Sequence, residues 1–148
     1  MNKEIWLDMD GTFVDLYGVE NWLDYLISQD PLPYKEARPL INLSLFARLL
    51  NKAQRNGYTI NIVSWLAKDA TRVYDEQVAA AKEVWLKKHL PSVEFDRIEI
   101  LEYGTPKSQV SNGGYLFDDE EKNRVEWNGI SYSNVEMIKV LKGICCAA

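Results

Sequence analysis

The chain has 148 residues, 47% of them apolar, enough for one domain with its own hydrophobic core. A net charge of −5 and a pI near 4.9 argue against a general nucleic-acid surface and against a polybasic membrane contact. No apolar run reaches the length of a membrane span, and Met1-Asn2-Lys3-Glu4 does not open a signal peptide, so a cytoplasmic location is expected.

The first predicted strand begins at Ile5-Trp6-Leu7 and meets Asp8-Met9-Asp10-Gly11-Thr12. Alternation along a strand points Asp8 and Asp10 the same way, at the C-terminal end where open α/β sheets bind their ligands. Gly11 permits a sharp turn there, and Thr12 adds a hydroxyl and a backbone N–H. Two carboxylates this close repel unless a proton or cation lies between them, and a hard divalent ion such as Mg²⁺ is the natural occupant.

Val19, Trp22, Leu23, Leu26 and Ile27 follow helical spacing, ended by Asp30-Pro31-Leu32-Pro33. A second helix is expected from about Pro39 through Leu43, Phe46, Leu50 and Ala53, with Asn56-Gly57 as its stop. Residues 16–56 thus exceed a plain crossover and have room for a small cap as well as a sheet-covering helix. The second strand, Tyr58 to Val63, delivers Ser64 and then Trp65. A long helix follows with Tyr74, Val78, Ala81 and Trp85 on one stripe. Lys87, Lys88 and the single histidine, His89, suit the dipole of its last turn, so His89 reads as a cap residue.

A third strand is predicted at Arg97–Leu101, followed by a loop to Lys107. A short fourth strand, Tyr115-Leu116-Phe117, ends in Asp118-Asp119, and a helix from Glu120 to about Trp127 precedes a last strand near Ile130. Ser133 and Glu136 form a capping box for a terminal helix carrying Val135, Ile138 and Leu141. Cys145-Cys146-Ala147-Ala148 formally fits a prenylation box, but no polybasic stretch precedes it and a frayed tail is expected. The alternation of strands and helices predicts an α/β fold with a mostly parallel five-stranded sheet covered on both faces.

In such a sheet Asp8, Asp10, Ser64, Lys107, Asp118 and Asp119 converge on one edge. Together these residues resemble the four signatures of the haloacid dehalogenase-like hydrolases: Asp8-Met9-Asp10-Gly11-Thr12, Ser64, Lys107 and Asp118-Asp119. Ala81 to Pro91, and Leu116 to Asn123 with Trp127 and Gly129, are similar to segments of the 5′(3′)-deoxyribonucleotidases within that superfamily. The resemblance implies a three-layer Rossmann-like fold with a minimal helical cap at about 16–56. It implies a Mg²⁺-dependent phosphomonoesterase with Asp8 as nucleophile and Asp10 as general acid and base. Asp8, the Asp10 carbonyl and Asp119 would bind the metal, with Asp118 orienting them or exchanging roles with Asp119. Thr12, Ser64 and Lys107 would hold the phosphate. The expected substrate is a small phosphorylated molecule, a nucleoside monophosphate, whose base would stack on Tyr17, Trp22 or Trp65; of these Trp22 also fits a core stripe. The alternatives are phosphate removal from a nucleic-acid end and a non-catalytic receiver-like module, although the latter has no need of an acid at position 10.

Overall fold

The computed structural model describes residues 2–146. In chain order it forms β1 (Glu4–Leu7), β2 (Val14–Asp15), α1 (Trp22–Ile27), α2 (Leu32–Glu36), β3 (Arg38–Pro39) and α3 (Leu43–Arg55). There follow β4 (Thr59–Trp65), α4 (Arg72–His89), β5 (Arg97–Leu101), β6 (Tyr115–Phe117), α5 (Glu121–Glu126), β7 (Ile130–Tyr132) and α6 (Met137–Cys146). Short 3₁₀ turns occupy Lys107–Val110 and Asn134–Glu136.

Five strands form one parallel sheet in the order β5-β4-β1-β6-β7, as a three-layer Rossmann-like α/β fold requires. β1 lies in the middle, with Ile5 opposite Ile60 on one side and Tyr115 on the other. Its apolar residues are buried because a central parallel strand is covered on both faces. Ile5, Leu7, Ile60, Ile62 and Phe117 face α3, α4 and α6, which contribute Phe46, Leu50, Trp85, Leu86, Met137 and Leu141. Trp6, Val63 and Leu116 face the other way, against Trp127 and Val110. Each fully buried large apolar side chain contributes about 1.5–3 kcal/mol, so this two-sided core fixes the register that aligns the strand ends.

Several expected elements are shorter or start elsewhere. Pro39 does not open α3: Arg38-Pro39 pairs antiparallel with Val14-Asp15. The helix starts instead after Asn42, whose side chain accepts from the Leu45 N–H. The insert is therefore narrower than 16–56. It is closed at its base by β2 and β3 and holds α1 and α2, while α3 belongs to the main core. Pro31 and Pro33 do more than end α1, because proline tolerates the first turn of a helix and the pair begins α2. α1 buries no residue, so the core role expected of Trp22 is not met; Trp22 is half-buried against the Tyr17 ring.

At the C-terminus Val135 is exposed, because residues 134–136 form a 3₁₀ turn and α6 begins only at Met137. Ser133 Oγ bonds the Glu136 carboxylate at 3.1 Å but makes no cap to a backbone N–H. Cys145 is buried in α6 with its Sγ donating to the Leu49 carbonyl, so the chain is helical up to Cys146. Ala147 and Ala148 of the expected frayed tail and prenylation box lie outside the described residues.

Candidate functional site

The turn after β1 is wound around one carbonyl: the N–H groups of Thr12, Phe13 and Val14 all donate to Met9 O at 3.1–3.2 Å. Gly11 sits at φ +83°, and a Cβ there would run into the Asp119 carboxylate. Glycine thus allows both the left-handed turn and the approach of β6's acidic end to β1's. Ser64 and Trp65 are the last residues of β4, and Lys107 opens the turn after β5. The parallel topology brings all of these ends to one edge.

Two buried lysines divide the floor. Lys107 Nζ donates to Asp8 Oδ1 and to Asp118 Oδ2, both at 2.7 Å. Lys82 Nζ donates to Asp10 Oδ2 at 2.8 Å, Ser64 Oγ at 2.6 Å and the Trp65 carbonyl at 2.8 Å. Sequence reading singled out Lys107 and missed Lys82. The signal was present, since Lys82 lies four residues after Val78 on the buried stripe of α4, where a charge needs a partner.

Thr12 is buried, and its hydroxyl donates to Asp8 Oδ2 at 2.8 Å while accepting from the Asp119 N–H at 3.2 Å. With its own N–H on Met9, Thr12 is engaged with the carboxylates on either side of it. Ser64 Oγ accepts from Lys82, which leaves its O–H able to donate. Asp118 is hydrogen-bonded on both oxygens: Oδ1 accepts from the Glu120 N–H, and Oδ2 accepts from Lys107 and from Asn123 Nδ2. The Asp119 carboxylate lies 3.3 Å from the Thr12 hydroxyl and beside the Asp8 carboxylate.

Asp8, Asp118 and Asp119 present oxygens within 4.8 Å of one another, a hard-oxygen set that suits a divalent cation such as Mg²⁺. Asp8 is held by Lys107 and Thr12 and Asp118 by Lys107, Asn123 and the Glu120 N–H, so Asp119 is the least engaged of the three. Burial, then the charge of Asp8, pushes the Asp119 carboxyl up to about 8 and Asp118 up to about 6. Burial also raises Asp10, against the opposing pull of Lys82. For Lys107 burial acts downward, but Asp8 and Asp118 outweigh it and hold the ammonium above the ordinary lysine range.

Above this floor lies a cleft of about 280 Å³. Tyr17, Trp22 and Tyr34 from the insert line one side, and Trp65 and Tyr103 from the sheet edge line the other. All three expected aromatic residues therefore border it, while Tyr34 and Tyr103 were not anticipated. Trp65 is fixed by its indole N–H on the Thr105 carbonyl at 2.8 Å, with the Tyr103 ring 5.1 Å away. His89 does not line the cleft: its ring packs on Trp85 at the end of α4.

The site thus joins paired carboxylates, two buried ammonium groups and an aromatic-walled opening. No family model matches the chain, and no curated protein matches it.

Proposed function

We propose that the chain is a Mg²⁺-dependent phosphomonoester hydrolase of the haloacid dehalogenase-like kind, acting on a nucleoside monophosphate. The observation that carries this reading is the pair of acids after β1, each fixed by its own buried lysine and set apart by what that lysine leaves free. Asp8 is held by Lys107 and Thr12 beside Asp118 and Asp119. Asp10, two residues on, is held by Lys82. A receiver-like module needs only the first of these arrangements.

In this reading an Asp8 carboxylate oxygen bonds to phosphorus as the bond to the leaving oxygen breaks, and Asp10 gives that oxygen a proton. Water then attacks phosphorus, passes a proton to Asp10 and releases phosphate from Asp8. Burial raises Asp10, the direction that favours its protonated form as an acid, against the pull of Lys82. Lys107 offsets the negative charge of Asp8 and of the arriving phosphate, and the Ser64 O–H is free to donate to a phosphate oxygen. Asp8, Asp119 and the Asp10 backbone carbonyl would hold Mg²⁺, with Asp118 and Asn123 orienting them. The ion would supply charge neutralisation between nucleophile and phosphate.

The cleft walls support a nucleotide over a plain sugar phosphate, because opposed aromatic side chains suit a flat ring. The test is phosphate release from deoxynucleotides, ribonucleotides, sugar phosphates and 5′-phosphorylated oligonucleotides, with Mg²⁺ and with chelator. Mg²⁺-dependent turnover fastest on mononucleotides is expected. Preference for oligonucleotide ends would move the assignment to a nucleic-acid-end phosphatase, and no turnover on any ester would remove it.

A further inference from the structure

Tyr34 reaches the bottom of the cleft from the insert. It stands on α2 and is 5% exposed, whereas Tyr17 and Tyr103 at the mouth are 48% and 53% exposed. Its ring packs with Leu16 and with Tyr74, Val78 and Ala81 of α4. Lys82 Nζ, the ammonium that holds Asp10 at 2.8 Å, lies 5.3 Å from the ring centroid. Tyr34 thus borders the cleft at the level of the Lys82–Asp10 pair, below the aromatic mouth.

Packing does not account for its hydroxyl. A phenylalanine would fill the same cluster and present the same ring face to Lys82. The neighbouring Tyr74 uses its hydroxyl, which donates to the Asp30 carbonyl at 3.3 Å. That of Tyr34 makes no hydrogen bond among the described residues, and yet it is not sealed in. The buried side-chain atoms left without a partner are Asn61 Oδ1, Asp75 Oδ1 and Asn123 Oδ1, and Tyr34 Oη is not one of them. The oxygen is therefore open to the cleft that its residue lines. Burial, and then the charge of Asp10, holds the phenol above its ordinary range, so the group stays an O–H donor.

Depth decides what this donor meets. With phosphate on the floor at Asp8, Lys107 and Ser64, and a flat ring stacked at the mouth, the part of a nucleotide between them is its sugar. The sugar carries acceptor oxygens at the level of Tyr34. We propose that Tyr34 is a specificity-determining residue whose hydroxyl donates to a sugar oxygen of the substrate, so that the site selects a sugar-bearing phosphate over a simple aryl phosphate. The assignment rests on the nucleotide phosphatase reading. A donor placed for such an oxygen is left unpaired when a ligand lacks it, which disfavours that ligand.

The test compares the full chain with Tyr34→Phe, which removes only the hydroxyl and should keep the melting temperature. Calorimetric titration sets adenosine against adenine and thymidine against thymine, none of which carries phosphate. The wild type should bind at least one nucleoside more tightly than its free base. Tyr34→Phe should weaken that nucleoside by about fivefold and leave the base unchanged. In turnover, kcat/KM for the corresponding monophosphate should fall by a similar factor relative to para-nitrophenyl phosphate, mainly through KM. A nucleoside held no better than its base would overturn the sugar contact, as would a variant that weakens both or neither. Equal losses on mononucleotide and aryl phosphate would place the hydroxyl on the phosphate and overturn it too. The phosphatase reading fails separately: nucleosides would bind as stated, with no Mg²⁺-dependent phosphate release from any ester.

Discussion

The two halves of the cleft floor use the same side chain in different ways. Lys82 spends all three of its N–H donors on Asp10, Ser64 and the Trp65 carbonyl, and it does not line the cleft. Lys107 spends two, on Asp8 and Asp118, and it does line the cleft. Donor counting alone thus separates a positioning lysine from one that can still reach a ligand. It also separates the two acids. Asp10 is clamped from inside the fold, whereas Asp8 is poised between a lysine, a threonine and the acids of β6.

The largest effect expected from breaking this arrangement falls on Asp8. Asp8→Asn keeps the size and polarity of the side chain but removes the nucleophile, so phosphate release should drop by about three orders of magnitude or more. Its melting temperature should not fall, because one of several crowded negative charges is gone. Near-normal turnover would end the covalent account.

Replacing each lysine in turn sharpens the contrast. Both Lys82→Met and Lys107→Met leave buried carboxylates unpaired, a loss on the order of 3–5 kcal/mol of stability. Their kinetics should differ. Lys107→Met should lower kcat and raise KM, since it removes a group available to the phosphate. Lys82→Met should lower kcat by about a hundredfold with little change in KM, and should displace the pH profile because Asp10 loses its partner. Identical kinetic signatures would erase the distinction drawn from the donors.

A smaller effect concerns proton balance on the Asp8 side. Asp118 and Asp119 sit above their unfolded values, at about 6 and about 8. The folded chain therefore binds protons that the unfolded chain has released. The stability they contribute is fully present below about pH 4, the unfolded carboxyl range, and is lost as pH rises through 6 and then 8. Thermal melts without metal should decline across that window. Added Mg²⁺ should bind more tightly as pH rises, and should flatten the decline by replacing the protons. Asp119→Asn should weaken this response more than Asp118→Asn, because Asp118 is the acid tied to Lys107, Asn123 and the Glu120 N–H.

The mildest predicted change lies on the insert wall. Tyr17 is 48% exposed at the cleft mouth, so Tyr17→Ala should raise KM for a nucleoside monophosphate by about tenfold. It should leave KM for a small aryl phosphate nearly unchanged. Equal effects on both would remove base stacking from the account.

The sheet and its acidic edge were legible because their signals are local. Apolar runs that end in Asp8, Ser64 or Asp118 mark strand ends, and parallel topology brings such ends together without further information. The range of β5, Arg97–Leu101, and that of β6, Tyr115–Phe117, follow directly from such runs. Lys82 was hidden for the opposite reason: its partners come from two strand ends far away in sequence, and only its place on a buried helical stripe hinted at them. The insert misled because its helical spacing at Trp22, Leu23 and Leu26 is real, yet Trp22 and Leu23 border a cleft, and only Leu26 also packs on the small cluster around Leu16, Tyr34 and Tyr74. Periodicity reports a face, and tertiary structure decides what that face meets. Pro39 was read from its preference for helix starts, but pairing with Val14 was the stronger constraint.

The central claim is that Asp8 carries the phosphoryl group while Asp10 moves the protons. An aryl phosphate such as para-nitrophenyl phosphate has a leaving group that needs little acid help, so an Asp10→Asn variant should still transfer its phosphoryl group to Asp8 and then stall for want of a base. Acid quenching, digestion and mass spectrometry of that variant, supplied with Mg²⁺, should find the phosphoryl group on the peptide containing Asp8, after a burst of phenolate close to one equivalent per site. Steady turnover with an unmodified Asp8 peptide would contradict the account.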